Sequence, residues 1–355
     1  MSDIYIKQQL AMHPSVQPQD VLKMCFQAAF GAEHLITDME RVENYFTTEY
    51  EKTASSNKEQ MIEYLSPTVA RLNIASWKHS NMPPAWLFDL FVAGVSFDKG
   101  DKAEKSKLFY DYITAWTNYI YANEKNMTFT LAQFEEVLRW YIEKCEGTLQ
   151  AVHHSQDYRD GESPAYRVIS GPAVDAFTIL EAAYEKCGSS GGVIIIDGKA
   201  GAGKTTVAGV LSAVLNTPTI CMDHFFLPPA LRSADRLDAP GGNIDHQRFI
   251  AEVMPNLSAA FQYNIFDCSI MALKGTRSIP AGKWQIIEGS YSHHPELQYG
   301  DNALKVFVDI PYDTQIARLE KRNPKLLQRF VDAWIPMEEK YFAAFDVKDN
   351  ADITI

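Results

Sequence analysis

Gly198-Lys199-Ala200-Gly201-Ala202-Gly203-Lys204-Thr205, with Thr206 after it, is the segment of this chain whose residue types and spacing most clearly suit chemistry. Its glycines let main-chain N–H groups turn inward on an anion, and a helix beginning at the second lysine adds the partial positive charge of its N-terminus. In such a G-x-x-x-x-G-K-[ST] pattern, Lys204 would reach the outer phosphates of a nucleoside triphosphate, and the Thr205 hydroxyl would ligate Mg²⁺. A glycine-rich turn that binds nothing is the bland alternative, and the flanks argue against it. Val193-Ile194-Ile195-Ile196 is the β-branched run of a strand buried on both faces. Val207, Val210, Leu211, Val214 and Leu215 then recur at helical spacing. The ligands expected are ATP and Mg²⁺; no guanine-reading N-K-x-D motif occurs.

Two carboxylates follow later apolar runs. Asp223, in Cys221-Met222-Asp223-His224-Phe225-Phe226, falls where a parallel sheet gathers its ligands, at a strand's carboxyl end. There it could accept the proton of an attacking hydroxyl, although an Asp in that position also caps turns. Glu288 ends Ile286-Ile287-Glu288-Gly289 and could hold Mg²⁺ through water; otherwise it is a loop acid.

These residues need a scaffold, and the chain changes character around Gly188-Ser189-Ser190-Gly191-Gly192. After this small-residue stretch, apolar runs at 193–196, 218–222, 284–287, 305–310 and 351–355 alternate with helical patterns at 205–215 and 315–322. That alternation predicts an α/β layer with a mainly parallel sheet and helices on both faces. Before it, the pattern is helical. Val21, Leu22, Cys25, Phe26, Ala29 and Phe30 share one face, with Gly31 as a stop. Leu108 to Ile120 repeats the spacing, as does Leu131 to Cys145 behind a capping box at Thr130 and Gln133, and a last helix covers 173–186. The division expected is a mainly α-helical domain over 1–187, a linker over 188–192, and a nucleotide-binding domain over 193–355.

Residues 191–355 resemble the uridine kinase-like branch of the P-loop kinases. The likeness is carried, in order, by IDGKAGAGKTT (196–206), MDHFFLPP (222–229), PGGNIDHQRF (240–249), IFDCSIM (265–271), IIEGSYS (286–292), VFVDI (306–310) and RLEKR (318–322). The resemblance implies a P-loop kinase fold and ATP-dependent phosphoryl transfer to a hydroxyl of a small molecule. It places the catalytic aspartate on Asp223 and the acceptor-binding aspartate on Asp245. It also implies an arginine lid, with Arg322 foremost and Arg318 and Arg329 beside it. Phe225, Tyr291 and His294 are taken as lining the acceptor pocket. Uridine kinases read the base with a Tyr and a His; the matching positions here hold Phe266 and Met271, which offer no such hydrogen bonds. The acceptor is therefore expected to differ from uridine. A rival reading is an ATP-hydrolysing or ATP-sensing switch whose helical half is the output.

Composition sets outer limits. Thirty-three Lys and Arg against 45 Asp and Glu give a formal charge of −12, which disfavours nucleic acid and anionic membranes as partners. Five cysteines without a CxxC pair read as reduced thiols, and the start of the chain lacks a signal-peptide pattern. A cytoplasmic protein without a membrane span is expected, with self-association allowed. In the first half, two stretches stand apart without an assigned role: Gly31-Ala32-Glu33-His34, and Val152-His153-His154-Ser155-Gln156-Asp157-Tyr158-Arg159 with Pro164-Ala165-Tyr166-Arg167. The second reads as a solvated connection with a few buried tyrosines.

Overall fold

The computed structural model describes residues 3–36, 38–97 and 100–355. The chain forms two compact units, 1–174 and 175–355.

The first unit is built on helices α1 (Asp3–Met12), α2 (Pro18–Phe30) and α3 (Met39–Lys52), hairpin strands β1 (Ile62–Ser66) and β2 (Val69–Asn73), and helices α4 (Ile74–Ser80), α5 (Pro84–Ser96), α6 (Lys102–Asn123), α7 (Leu131–Cys145) and α8 (Gln156–Glu162). Strand β3 (Tyr166–Ser170) closes an antiparallel sheet of order β1-β2-β3. The helices fall where periodicity places them. Gly31 stops α2 with φ of 59°, and Thr130 and Gln133 form the expected capping box on α7. The small sheet was not foreseen, because its strands are five residues long and their apolar runs are broken by Glu63, Arg71 and Arg167. The core packs α2 against α6 and α7 through Leu22, Phe26, Phe109, Trp116 and Phe134.

Helix α9 (Pro172–Cys187) leads into the second unit. The unit boundary, between Val174 and Asp175, thus falls in the first turn of α9 and not at the Gly/Ser stretch after it. Residues 188–190 form a 3₁₀ turn, and a Cβ on Gly191 or Gly192 would strike the main-chain oxygens of Lys283 and Asn302. The small residues there serve close packing, so composition misread them as a linker.

The second unit continues with β4 (Val193–Gly198), α10 (Lys204–Leu215), β5 (Thr219–Cys221), α11 (Ala234–Asp238) and α12 (His246–Glu252). A hairpin, β6 (Phe261–Asp267) and β7 (Ala272–Ile279), precedes β8 (Gln285–Glu288) and β9 (Ala303–Val308). Helix α13 (Tyr312–Arg322) is followed by α14 (Leu327–Arg329), a π-helical stretch (Phe330–Trp334), α15 (Ile335–Ala344) and β10 (Ile353–Thr354). The five-stranded sheet has order β10-β9-β4-β8-β5 with every pairing parallel. Ile194, Ile195, Ile196, Ile286 and Ile287 are fully buried in its centre, as the continuous β-branched runs require. All five sheet strands lie within the apolar runs or one or two residues beyond them. Together, the parallel sheet, the flanking helices and the glycine loop between β4 and α10 form the α/β layer expected from the sequence, with the loop at the carboxyl end of a central strand.

Candidate active site

The loop between β4 and α10 depends on glycine at two positions. At Gly198, φ is 136° and a Cβ would lie 2.2 Å from Val308 O on the neighbouring strand. Gly203 has φ of 114° and opens α10, and nothing lies within 4 Å of where its Cβ would project. That space, at a helix N-terminus, is a cradle into which an anion fits. Lys204 is folded back on the loop, its Nζ donating to Gly198 O at 2.5 Å and Lys199 O at 3.0 Å. Lys199 turns away and pairs with Asp309 Oδ1 at 2.6 Å.

Strand register brings the two acids toward this loop. Cys221 and Glu288 are paired across β5 and β8, and Ile196 pairs with Glu288 across β4 and β8. Glu288 is buried; its Oε2 accepts from Thr205 Oγ1 at 3.2 Å and its Oε1 from the Cys221 thiol at 3.2 Å. Burial, with the Asp223 charge adding to it, pushes its pKa up against the pull of Cys221, Lys204 and Thr205. Asp223 follows β5 in a 3₁₀ turn and is exposed. Its charge also raises the pKa values of Cys221 and Tyr291. Asp223 therefore stands on the Glu288 side of the sheet's carboxyl end, with no side-chain hydrogen bond engaging its carboxylate among the described residues. Thr205 and Glu288 offer hard oxygen donors beside the cradle, a set that suits Mg²⁺ completing its shell with water and phosphate.

The remaining residues proposed from the sequence separate. Asp245 is buried and caps α12, accepting from Arg248 N at 3.1 Å, so its local role is structural. Phe225 is fully buried, packs on Phe249 and Tyr263, and is covered by the Arg248 guanidinium at 4.1 Å from its ring. It cannot touch an acceptor from there, because the apolar side of the 3₁₀ turn that exposes Asp223 must face the core. Phe266 is likewise buried, while Met271 sits in the hairpin turn with φ of 55°. Tyr291 is buried with φ of 72° and packs edge-on against Tyr341.

His294 stacks on His246 at 3.9 Å and lines a cavity of about 400 Å³ with Arg236, Pro240, Glu296 and Phe345. Neither Asp223 nor a loop glycine from 198–203 lines that cavity. His246, His294 and Glu296 bring potential metal-ligand atoms within 4.8 Å of one another. The two rings lie only 25° from parallel, so their in-plane lone pairs run side by side instead of converging, and His294 Nδ1 already accepts from Glu296 N.

Arg322 and Arg329 are exposed on the segment after β9. It is Arg318 that meets the glycine loop, donating to Ala202 O at 3.0 Å and Gly201 O at 3.4 Å. Gln315, one turn earlier, donates to Ala200 O at 3.1 Å.

Three further residues build the site, and sequence reasoning passed over two of them entirely. Glu338 of α15 is buried, its Oε2 accepting from Ala200 N at 3.0 Å and its Oε1 from Ser290 Oγ at 2.8 Å. Burial raises its pKa despite the nearby Lys204. Nothing local in the sequence around Glu338 marks it. Asp197, fully buried, accepts from the main-chain nitrogens of Gly198, Tyr291 and His293 and from the Tyr341 hydroxyl. An acid ending a buried apolar strand was the signal available. Arg318, named beside Arg322, completes the group.

No family model matches the chain, and no curated protein matches it. Solved structures do. One neighbour is described as a possible uridine kinase from Bacillus stearothermophilus: 19% identity, TM-score 0.40, covering 51% of this chain and 98% of that one. Another is described as a fructose transport system kinase from Silicibacter sp.: 20% identity, TM-score 0.38, covering 52% of this chain and 98% of that one. No helix among the described residues is long and apolar enough to cross a membrane.

Proposed function

We propose that the second unit transfers the terminal phosphoryl group of ATP to a hydroxyl of a small molecule. The observation that carries this reading is the grouping of Lys204, Thr205, Glu288 and Asp223 at one end of one parallel sheet. The 198–206 loop would hold the phosphates through its N–H groups, with Lys204 exchanging its bonds to Gly198 O and Lys199 O for phosphate oxygens. Thr205 and Glu288 would hold Mg²⁺, which supplies charge neutralisation to the polyphosphate. Asp223, exposed and unengaged, is the base that takes the acceptor's proton as the new O–P bond forms. Catalysis then rests on positioning and electrostatics. Arg318 is better placed than Arg322 to follow the phosphoryl group, since it already touches the loop.

Phe266, buried, and Met271, in the hairpin turn, stand where uridine kinases read the base and offer no such hydrogen bonds, so the acceptor is a hydroxyl compound other than uridine. Of the acceptor-side residues, His294 lines a cavity, whereas Asp245 caps α12 and its place at the acceptor rests on the resemblance alone. The protein is read as cytoplasmic, acting without nucleic acid or membrane. An acceptor screen with γ-labelled ATP over nucleosides, vitamins and sugars tests the proposal. A labelled product supports it; phosphate release with no labelled acceptor supports the hydrolysing switch instead.

A further inference from the structure

The first unit contains a chain of buried polar groups that the kinase reading leaves unused. His154 places Nδ1 2.8 Å from Asp20 Oδ1 and Nε2 2.6 Å from the Tyr166 hydroxyl. Asp20 is fully buried and also accepts from Ser155 N and Oγ. Burial works to raise its pKa, but His154 and Ser155 outweigh it and hold the carboxyl below its ordinary range, while burial drives His154 down to about 4. The imidazole is therefore neutral, with its proton on Nδ1 facing the carboxylate, and Nε2 accepts from Tyr166. His154 is stacked flat on Tyr158 at 4.1 Å, which fixes its ring.

The Tyr166 oxygen is also met by Gln27 Nε2 at 3.3 Å. Gln27 is oriented in turn by Arg71, whose Nε and Nη2 donate to Oε1 at 3.1 and 2.7 Å. Arg71 lies over the Tyr166 ring at 4.5 Å. Asp20 and Gln27 occupy one face of α2, and Lys23 lies between them on that face, one turn from each. The Lys23 amine reaches the segment that carries His154, bonding two residues before it, and its charge helps to lower the His154 pKa. Among the described residues its hydrogen bond goes to a main-chain oxygen, Val152 O at 3.1 Å, and no carboxylate pairs with it. Burial, reinforced by Arg71, brings its pKa down to about 8. The floor of this cluster (Asp20, Gln27, Arg71, His154) is buried, while Lys23 and Tyr166 are only half-buried.

We propose that the first unit carries a second ligand site, in which Lys23 takes the phosphate or carboxylate group of a small molecule and Tyr166, set by Asp20 and His154, exchanges a proton with it. As the ligand gives a proton to the Tyr166 oxygen, the phenolic proton passes to His154 Nε2. The resulting imidazolium is held by Asp20 through Nδ1–H. The reverse sequence returns the proton, and no oxidant or further reactant enters. A bracing network alone would need neither a half-buried amine without a carboxylate partner nor a histidine whose second nitrogen receives a phenol.

Pyridoxal 5′-phosphate, an aldehyde bearing a phosphate, is a direct probe on the full chain. The unprotonated amine adds to the aldehyde, water leaves, and borohydride then reduces the C=N bond so that each modified lysine can be mapped. Lys23 is expected to label about tenfold faster than the exposed Lys107, as a desolvated amine does. Inorganic phosphate protecting Lys23 assigns a phosphate ligand, and malonate protecting it assigns a carboxylate. Protection by neither, or labelling no faster than Lys107, overturns the site. Tyr166→Phe and, separately, His154→Gln should slow labelling of Lys23 several-fold without changing Lys107. A variant that melts like the wild type yet labels Lys23 at the wild-type rate overturns the relay.

Discussion

Thr205 Oγ1 donates to Glu288 Oε2 at 3.2 Å, joining the first turn of α10 to the end of β8. One oxygen ligand from a helix start and one from a strand end thus meet before any metal arrives, and the Cys221 thiol fixes the other carboxylate oxygen. Glu288→Gln keeps the size and the Thr205 contact but removes the charge. It is expected to raise the Mg²⁺ concentration needed for nucleotide binding by about tenfold or more, since a carboxylate is the ligand of choice for this ion. A Mg²⁺ titration followed by a fluorescent ATP analogue reads this, and an unchanged midpoint would remove Glu288 from the metal site. Because burial raises the pKa of Glu288, metal affinity should also begin to fall at a higher pH than for an exposed glutamate.

Asp223 is exposed while Lys204 is buried, so the base and the phosphate grip are separable. Asp223→Asn should leave the ATP Kd within about twofold and lower kcat by roughly 10²–10⁴, the range for loss of a positioned proton acceptor. Steady-state kinetics with the acceptor found by the labelled screen, alongside equilibrium ATP binding, gives both numbers. Full turnover in this variant would assign the proton transfer elsewhere.

The sequence made the central sheet legible because strands buried on both faces must be apolar throughout, and the loop after β4 was legible because few residue types fit it. Arg318 was harder to rank against Arg322. Both share a helical face, and only the packing of α13 decides which one reaches Ala202 O. Glu338 lies far from residue 200 in the chain and is an ordinary acid on a helix, so no local pattern could announce its bond to Ala200 N. The segment 152–167 misled for the opposite reason. Tyr158 is buried as expected, but His154, which looks solvated, is buried and paired as well, and α8 and the start of β3 lie within the segment. Polar residues that satisfy one another inside a core cannot be told from exposed ones by composition.

In the first unit, Arg71 is almost wholly buried and pairs with Glu63 Oε1 at 2.9 Å, while His13 Nε2 lies 3.0 Å from Oε2. Burial favours the neutral form of Glu63, but Arg71 and His13 prevail and bring its pKa from 4.5 to about 2. A depressed acid stabilises the fold fully above the unfolded value, and that contribution is lost as the pH falls from 4.5 toward 2. At neutral pH it is on the order of 3 kcal/mol. Glu63→Gln should therefore lower the melting temperature of this unit clearly at pH 7 and much less near pH 2.5. Parallel loss at both values would trace the effect to packing instead of charge.

Asp197 offers the sharpest structural test. Its Oδ1 accepts from Gly198 N at 2.7 Å and Tyr291 N at 3.2 Å, and its Oδ2 from His293 N at 3.0 Å and the Tyr341 hydroxyl at 2.8 Å. All four partners can donate, and the side chain is fully buried. Asparagine has nearly the same shape, but whichever way its amide is turned, an NH₂ group faces two donors. The Tyr341 hydroxyl can rotate to accept; the three main-chain N–H groups cannot. At least one buried N–H is then left opposite another, at a cost of about 3 kcal/mol. For a unit of this size that corresponds to a fall of roughly 6–12 °C in Tm. Since Gly198 N and Tyr291 N anchor the glycine loop and the turn after β8 to the same oxygen, ATP binding should weaken in the same variant. Calorimetry with and without ATP separates the two effects. A variant that melts within a degree of the wild type would mean that this carboxylate is not what ties the loop to the sheet.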